Sequence, residues 1–345
     1  MSIRAVPDNV KCDDVLYRGI ILDKPFCVRR ARHEDYDKVM KIDETIHDGA
    51  DYLPTSYHGL IDDPRYHSFV AELDGEMVGY LCSHIDGLTN NITVGLAARQ
   101  KAKYRHRGLF VHFKVLTEIE MKKIYPGLKF DWNFCALNDG IAKYANEIHA
   151  RLINQKIHIH GETSPENIKS GPELGNMHIN AYMPSLSELT DLLSNPKVLH
   201  YLYPSGAFIH ANKYMPFPTS EDNIRNVLEK GLVVISGKIE SNDFALSTLY
   251  VHQCPFGVRL AISYDGIPDS NIIKAHILKA SEYTAALWLP KLNNQQIKNP
   301  KIRISIQSPC IENPDSIWEL LRETFNCEFN EEVTLKFGLF EMPYK

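Results

Sequence analysis

The stretch from Asn91 to Leu116 constrains the fold more than any other part of the sequence. It reads as an apolar strand, a short basic turn and a helix whose first turn carries Arg105-x-x-Gly108. The first N–H groups of a helix have no partner inside the helix, and the helix dipole adds partial positive charge there. A glycine lets a ligand approach the backbone closely, and arginines add fork-shaped donors for phosphate. The stretch therefore predicts a strand-turn-helix unit that holds a pyrophosphate; the alternative is a solvated basic loop.

Length and composition favour a soluble protein of two domains. The 345 residues are 44% hydrophobic and 23% charged, and domains of about 150 residues are typical. A formal net charge of −5 argues against a nucleic-acid partner. The sequence has no run of about 18 apolar residues and no apolar signal core, so we expect no membrane partner and a cytoplasmic location. The 7 cysteines form no Cys-x-x-Cys pair, which predicts reduced thiols and disfavours zinc.

The first half of the sequence alternates between strand and helix patterns. Asp74-Gly75 separates two apolar runs, which predicts a β-hairpin. A meander of strands that feeds one crossover helix predicts an α/β fold with a mixed sheet and helices on both faces. The predicted strands are 26–32, 66–73, 77–85, 91–98, 129–136 and 157–161, and the predicted helices are 33–46, 55–62, 105–124 and 140–153.

This order of elements, with Arg105-x-x-Gly108 between the fourth strand and the third helix, resembles the GNAT superfamily of acetyl-CoA-dependent N-acetyltransferases. The resemblance covers about residues 20–165. The family pattern is Gln/Arg-x-x-Gly-x-Gly/Ala. The sequence departs from it at Phe110, where the family has a small residue, and it lacks the proline that often precedes the turn.

One loop narrows the resemblance further. Gly49-Ala-Asp-Tyr-Leu-Pro54 is followed by Tyr57-His58, then by Asp63-Pro64 and by the strand Phe69-Val-Ala71. This series resembles the animal histidine N-acetyltransferase branch of the superfamily. It implies an amino-acid acceptor, with L-histidine first.

The resemblance implies acetyl-CoA as co-substrate and no metal. The basic turn would hold the pyrophosphate, and the strand before it would offer backbone groups to pantetheine and an N–H to the thioester oxygen. Asn138 and Tyr144 would serve the sulfur, with Tyr144 as proton donor to the thiolate; they are six residues apart where the family has seven, so Tyr144 could instead face the core. The expected cofactor-binding residues are Val94, Leu96, Arg105, His106, Arg107, Gly108, Leu109, Phe110 and Asn138.

An amino-acid acceptor needs an anion for its ammonium group and a donor for its carboxylate. By residue type, the expected substrate-binding residues are Asp51, Tyr52, Tyr57 and His58. Glu72 is a candidate base acting through water, because strand alternation would turn it toward the cleft. One slip of register would reverse that orientation. The alternative for the loop is a simple turn with a packed tyrosine.

The second half repeats the order of the first, without its first strand, at an offset of about 165 to 175 residues, close to one domain length. Its predicted helices are 185–194, 219–230, 271–289 and 315–325, and its predicted strands are 232–239, 244–252, 258–264, 301–307 and 333–341. Its junction between strand and helix, Ser263 to Asn271, is acidic and has no arginine. We expect a GNAT fold over residues 1–165 and a second, degenerate GNAT-like α/β domain over 166–345, with a bland α+β accessory domain as the alternative. His158 and His160 alternate on one strand and are expected to be solvent-facing edge histidines rather than metal ligands.

The sequence therefore predicts an acetyl-CoA-dependent N-acetyltransferase that acts on a free amino acid by direct attack of its amine on the thioester. Two alternatives stay open. One is a different acceptor, either another small amine or a peptide N-terminus. The other is a non-catalytic acyl-CoA-binding protein. The expected partner is a small-molecule amine or amino acid, and the expected state is a monomer.

Overall fold

The computed structural model divides into two compact units. The first comprises Met1–Asn133 together with Glu341–Lys345, and the second comprises Phe134–Phe340. The predicted boundary between residues 165 and 166 stays a prediction. The residues that the structure describes are 4–5, 15–46, 51–85, 91–168, 179–211, 215–219, 223, 232–238, 243–254, 256–290, 300–309, 314–328 and 335–344.

The first unit is built on a sheet whose strands lie side by side in chain order, from β1 to β7. Neighbouring strands are antiparallel except β6 and β7, which are parallel. Its elements are β1 Arg4–Ala5, β2 Val15–Ile21, β3 Lys24–Arg30, α1 Tyr36–Met40, α2 Leu53–Asp62, β4 Tyr66–Leu73, β5 Glu76–Ile85, β6 Ile92–Gln100, α3 Leu109–Ile124 and β7 Phe130–Ala136.

Strand alternation gives this sheet two faces with different partners. On one face, the strands pack their apolar side chains against α3, with Phe69 and Phe113 fully buried in that core. On the other face, Tyr80 contacts the ring of Tyr57 from α2 at 5.8 Å and shares a hydrogen bond of 2.9 Å with Ser68. The helix predicted at 55–62 is therefore confirmed as α2, and it covers the face opposite α3.

The second unit has a mixed sheet in the order β16-β8-β15-β14-β13-β12-β9 and a separate hairpin of β10 and β11. Strands β14 and β15 are parallel. Its elements are α4 Asp139–Glu147, β8 Arg151–Thr163, β9 Ala181–Tyr182, α5 Leu186–Leu193, α6 Pro196–Leu202, β10 Ala207–His210, β11 Met215–Pro218, β12 Leu232–Ser236, β13 Ala245–Cys254, β14 Gly257–Gly266, α7 Ser270–Leu287, β15 Lys301–Pro309, α8 Asp315–Phe325 and β16 Leu335–Pro343.

One face of this second sheet is apolar and carries α7 and α8, with Leu260, Ile304 and Leu321 fully buried between them. The opposite face is polar and buried as well. There Lys156 forms an ion pair of 2.8 Å with Asp265, and burial lowers the pKa of the lysine while it raises the pKa of the aspartate.

Several predicted bounds are wrong, for local reasons. The helix expected over 140–153 ends at Glu147, because His149 adopts a φ of 57° and the chain turns into β8 at Arg151. The helix expected from 33 is a short 3-10 turn followed by the five-residue α1. Strand β2 precedes the first predicted strand, and α6, β10 and β11 were not predicted. The helix expected over 219–230 lies outside the described residues except at 219 and 223.

Candidate active site

Strands β6 and β7 pair over only part of their length. Their parallel register runs from Ile92 opposite Phe130 to Gly95 opposite Asn133. Strand β6 continues to Gln100 without pairing to β7 beyond that point. The predicted site residue Val94 lies inside the paired segment and Leu96 lies just beyond it. Strand β6 therefore continues past its paired segment, in the stretch where the sequence predicts the thioester end of the cofactor.

A β-bulge shapes the same segment of β6. Tyr80 pairs with Arg99 and Cys82 pairs with Leu96, so two residues of β6 face one residue of β5. Ala97, inside the bulge, adopts a φ of 52°. A bulge turns backbone groups out of the ladder, and here the N–H of Ala97 donates a hydrogen bond of 3.0 Å to the phenol oxygen of Tyr52. The bulge thus points one backbone donor at the loop that was predicted to bind the acceptor.

Arg99 ties that loop to the end of β6. Its guanidinium forms an ion pair with Asp51, whose carboxylate also accepts a hydrogen bond of 3.0 Å from the N–H of Leu53. The arginine is 3% exposed, and its Nε has no hydrogen-bond partner among the described residues. Buried polar groups are nearly always hydrogen-bonded, so the unpaired donor distinguishes Arg99 from the other residues of this segment. The sequence predicts the end of the strand at Ala98 and places Arg99 in the basic turn, and no pattern in it distinguishes Arg99 as a site residue.

The basic turn lies between β6 and α3, as predicted. Arg105, His106 and Arg107 are exposed. His106 and Gly108 have φ of 61° and 73°, and the N-terminus of α3 has no side-chain cap. Arg105 forms an ion pair with Asp43. Although burial raises the pKa of Asp43, hydrogen bonds from Thr45 and the charge of Arg105 hold it below its ordinary value. The turn therefore presents arginines, a left-handed glycine and uncapped helix N–H groups together.

The departure at Phe110 does not obstruct the turn. Leu109 is buried, and the ring of Phe110 packs edge-on against Phe113 at 6.2 Å as part of the core beneath α3. The side chain that replaces the family's small residue is therefore accommodated by the core.

Tyr57 and His58 have partners of their own on α2. Tyr57 is fully buried, and its hydroxyl donates a hydrogen bond of 2.7 Å to the carbonyl of Arg32. His58 is exposed and stacks on His33, with their Nδ1 atoms 2.8 Å apart. Of the four residues predicted for the acceptor, the structure brings Asp51 and Tyr52 to the bulge and gives the other two separate contacts.

Glu72 lies in an ion-pair cluster. Its carboxylate accepts hydrogen bonds from Arg29 at 3.1 and 2.7 Å, and the same guanidinium holds Asp35 at 2.7 and 2.8 Å. Charge-assisted hydrogen bonds of this kind fix the carboxylate in place and occupy the oxygen that would otherwise face a substrate. The role of base stays a prediction, and these contacts do not favour it.

The two predicted residues near the sulfur belong to the second unit. Asn138 is exposed, and its side-chain oxygen accepts a hydrogen bond of 3.0 Å from the N–H of Ile141 at the start of α4. The side chain of Tyr144 lies outside the described residues, and so does Asp48 of the acceptor loop.

The expectation of edge histidines on β8 is wrong. This strand lies between β15 and β16 in the sheet of the second unit. His158 is 7% exposed, and its ring lies 5.7 Å from that of His160. Among the described residues no group of histidine, cysteine and carboxylate side chains could hold a metal ion, and no helix is long and apolar enough to cross a membrane.

Comparison with known proteins gives the fold. No family model and no curated protein matches the sequence. Among the solved structures that match nearly the whole chain are the following two. A tandem GNAT protein from the clavulanic acid biosynthesis pathway, solved without acetyl-CoA, is 10% identical over 93% of this chain and 98% of its own, with a TM-score of 0.50. A GCN5-related N-acetyltransferase from Sphaerobacter thermophilus is 12% identical over 93% of this chain and 96% of its own, with a TM-score of 0.51.

The chain has the GNAT fold, followed by a second GNAT-like domain. At 10% and 12% identity, the similarity shows the fold and does not identify the acceptor.

The second GNAT-like domain differs from the first at the junction between strand and helix. There Asp269 caps α7, accepting hydrogen bonds of 2.8 and 3.1 Å from the N–H groups of Asn271 and Ile272. A carboxylate already satisfies these donors and would repel a phosphate. The uncapped N-terminus of α3, with its arginines, is therefore the more favourable of the two for an anion.

Proposed function

We propose that this protein is an acetyl-CoA-dependent N-acetyltransferase that acetylates the amino group of a free amino acid, with L-histidine as the first candidate. The observation that carries the proposal is the course of β6. The strand leaves β7 after Gly95, turns the N–H of Ala97 outward in a bulge, and then enters the basic turn at the start of α3. One strand thus connects a segment beyond its pairing with β7, a backbone donor engaged by the Tyr52 phenol, and the basic turn that we propose as the phosphate site.

The residues present fit acetyl-CoA. Arg105 and Arg107 are exposed beside the uncapped N-terminus of α3, where the helix dipole favours an anion. Adding a Cβ to Gly108 would meet no atom within 4 Å, so the space over the glycine is open to a ligand. Beyond Gly95, the edge of β6 no longer pairs with β7 and can bond the amides of pantetheine.

For the proposed reaction, the protein has to position the amine against the thioester and stabilise the charge that develops. The amine forms a C–N bond to the acetyl carbon, the C–S bond breaks, and the amine gives up one proton as the CoA thiol leaves. A backbone N–H stabilises the oxyanion that develops on the carbonyl oxygen, and Ala97 provides such a donor. Burial and the charge of Asp51 raise the pKa of Tyr52, so its phenol stays neutral, and it accepts the hydrogen bond of Ala97 until the thioester carbonyl takes its place.

The acceptor is proposed from the loop that contacts the bulge. The loop resembles that of histidine N-acetyltransferases, and Asp51 and Tyr52 hold it against β6. An amine that binds beside this loop therefore lies close to Ala97, whose N–H we propose as the donor to the thioester oxygen. This proximity supports a small acceptor.

The test is release of free thiol from acetyl-CoA by the purified protein, measured against the twenty free amino acids and several polyamines. We expect the strongest signal with histidine. A strong signal with another acceptor would keep the reaction and change the substrate. Binding of acetyl-CoA in calorimetry without thiol release from any acceptor, including peptide N-termini, would make the protein a non-catalytic acyl-CoA binder.

A further inference from the structure

Arg99 is the buried cation of the acceptor side. It lies on β6 beside the bulge, and its side chain is 2% exposed. Asp51 holds one end of the guanidinium, and Met40 Sδ lies 4.0 Å from Nη1. The Nε–H has no hydrogen-bond partner among the described residues. A guanidinium offers five N–H donors in a rigid fork, so Arg99 keeps donor capacity for a further acceptor group.

The position of Arg99 relative to the bulge suits one kind of ligand. Ala97 and Arg99 contact the adjacent loop residues Tyr52 and Asp51, so the N–H of the one and the guanidinium of the other lie on the same side of β6. In an α-amino acid under acetylation, the carbonyl carbon, the attacking nitrogen, the α-carbon and the carboxylate follow one another in a short chain. A ligand that places its reacting carbonyl at Ala97 can therefore place a carboxylate toward Arg99.

We propose that Arg99 binds the α-carboxylate of the acceptor and thereby restricts the substrates to α-amino acids. Asp51 is a positioning residue that fixes the plane of the guanidinium. This inference rests on the proposed function and adds the residue that selects the substrate class.

The chemistry favours a carboxylate over the other groups that an amine substrate could carry. The guanidinium fork matches a carboxylate in geometry and charge better than any neutral acceptor. A simple amine would leave the buried donor unpaired, and sites built around a polar group reject ligands that lack the partner. A polyamine would in addition bring a second cation next to Arg99.

The experiment compares each amino acid with the amine formed by removing its carboxylate. The pairs are histidine and histamine, lysine and cadaverine, and tyrosine and tyramine, with histidine methyl ester as a neutral control. For the preferred pair we expect kcat/KM to be about 10- to 150-fold higher for the acid, which is the worth of a charge-assisted hydrogen bond. The difference should appear mainly in KM, because the carboxylate is bound before and during the reaction.

Variants of the pair separate binding from folding. Removing Arg99 alone would leave Asp51 buried and unpaired, so the test variant is the double change Asp51→Asn with Arg99→Gln, which keeps a polar pair without charge. We expect the ratio of acid to amine to fall to within about threefold, the loss of one charged contact. The matched control is Asp63→Asn with Arg65→Gln, which removes an Asp–Arg pair of 2.6 Å from the loop before β4 and should keep the ratio.

Calorimetry gives a readout without turnover. The protein is first saturated with CoA, which cannot donate an acetyl group. Histidine should then bind to the double variant at least about tenfold more weakly than to the wild type, and histamine should bind equally to both. Arg99→Lys keeps the charge but loses the fork and should fall between the two.

The outcomes are distinguishable. Equal kcat/KM for acids and amines in the wild type overturns the role of Arg99 and leaves the acetyltransferase proposal standing. An equal loss for acids and amines in the double variant assigns Arg99 a structural role and also overturns the inference. Failure of every acceptor to release thiol is a failure of the proposed function, and histidine binding to the CoA-saturated protein then tests Arg99 by itself.

Discussion

Gly108 is the residue on which the phosphate site depends most directly. It adopts a φ of 73°, a conformation that costs other residues about 1–2 kcal/mol. An added Cβ would lie in open space, where the proposed pyrophosphate approaches the helix. For Gly108→Ala we expect a small loss of thermal stability and a fall in CoA affinity of about tenfold, measured by differential scanning fluorimetry and calorimetry.

The hairpin between β4 and β5 offers a matched control for this glycine. Gly75 has a φ of 78°, and an added Cβ there would also meet no atom within 4 Å. Gly75→Ala should cost the same stability and leave CoA affinity unchanged. If both variants lose CoA affinity equally, the effect at Gly108 is one of folding, and the phosphate site lies elsewhere.

Tyr52 engages the N–H of Ala97, the backbone donor that we propose for the thioester oxygen. Its phenol oxygen accepts the hydrogen bond from Ala97 at 3.0 Å, so a thioester carbonyl must displace it. For Tyr52→Phe we expect acetyl-CoA to bind about three- to tenfold more tightly, the net worth of one hydrogen bond, because the donor is no longer engaged. CoA, which has no acetyl carbonyl, provides the comparison in calorimetry and should bind unchanged. Tighter binding of both ligands would show that the phenol acts on the cofactor in another way.

At the residue scale, the basic turn lies between β6 and α3 as the sequence predicts, and its role in binding the cofactor stays a prediction. Gly108 and the arginines beside it stand out because glycine at a helix start has a definite physical role. Arg99 could not be recognised, since nothing in the sequence shows that a bulge follows Leu96 and carries the strand on to Gln100. Strand alternation predicts which face of the sheet Glu72 lies on, but it cannot predict the hydrogen bonds that Arg29 donates to the Glu72 carboxylate.

At the scale of elements, the basic turn acts as a unit with the N-terminus of α3. For the double change Arg105→Gln with Arg107→Gln we expect CoA affinity to fall about 10- to 100-fold, because two charge-assisted contacts to phosphate are lost. The salt dependence of CoA binding should weaken in the same variant, since exposed charges are screened. Arg65→Gln, an exposed arginine paired with Asp63, is the control. CoA affinity that is unchanged in the double variant would remove the turn from the site.

Elements with strong local signals were predicted closely, and weak ones were not. The hairpin at Asp74-Gly75 and helix α8 at Asp315–Phe325 lie where the sequence placed them. Strand β2 was missed because its first residues are all half-buried, so its sequence shows no clean alternation. Helix α6 has seven residues and strands β10 and β11 have four each, too few for a periodicity to emerge.

At the scale of the whole molecule, the offset repeat in the sequence predicted the second GNAT-like domain, and the comparisons confirm it. What the repeat could not predict is how polar the interior of this domain is. Lys156 and Asp265 are buried together, and His276 is fully buried on α7. Side chains of this kind follow a strand or helix pattern poorly, because their burial depends on partners from distant parts of the chain.

Those buried groups predict how the molecule responds to acid. The ring nitrogens of His276 lie 2.8 Å from Ser236 Oγ and 2.7 Å from Ser247 Oγ, and burial lowers the pKa of the imidazole to about 3. In the unfolded chain its ordinary pKa is about 6.5. Between pH 6.5 and pH 3 the imidazole is protonated in the unfolded chain but not in the folded protein. The free energy of unfolding is therefore unaffected by this histidine above pH 6.5 and falls as the pH is lowered toward 3. At pH 5 the loss from this one histidine is about 2 kcal/mol.

The measurement is the free energy of unfolding of the protein in urea, followed from pH 7 to pH 4. His276→Asn removes the proton-binding group and keeps an amide that can bond to a serine. The variant should be less stable than the wild type at pH 7. The slope of its unfolding free energy against pH should be smaller than that of the wild type by the equivalent of about one proton. His200→Gln, on the exposed side of α6, is the control and should keep the wild-type slope. An identical slope in His276→Asn and the wild type would mean that this imidazole does not titrate on unfolding, and the acid sensitivity would then have to come from other buried groups such as His210, whose pKa burial also lowers to about 3.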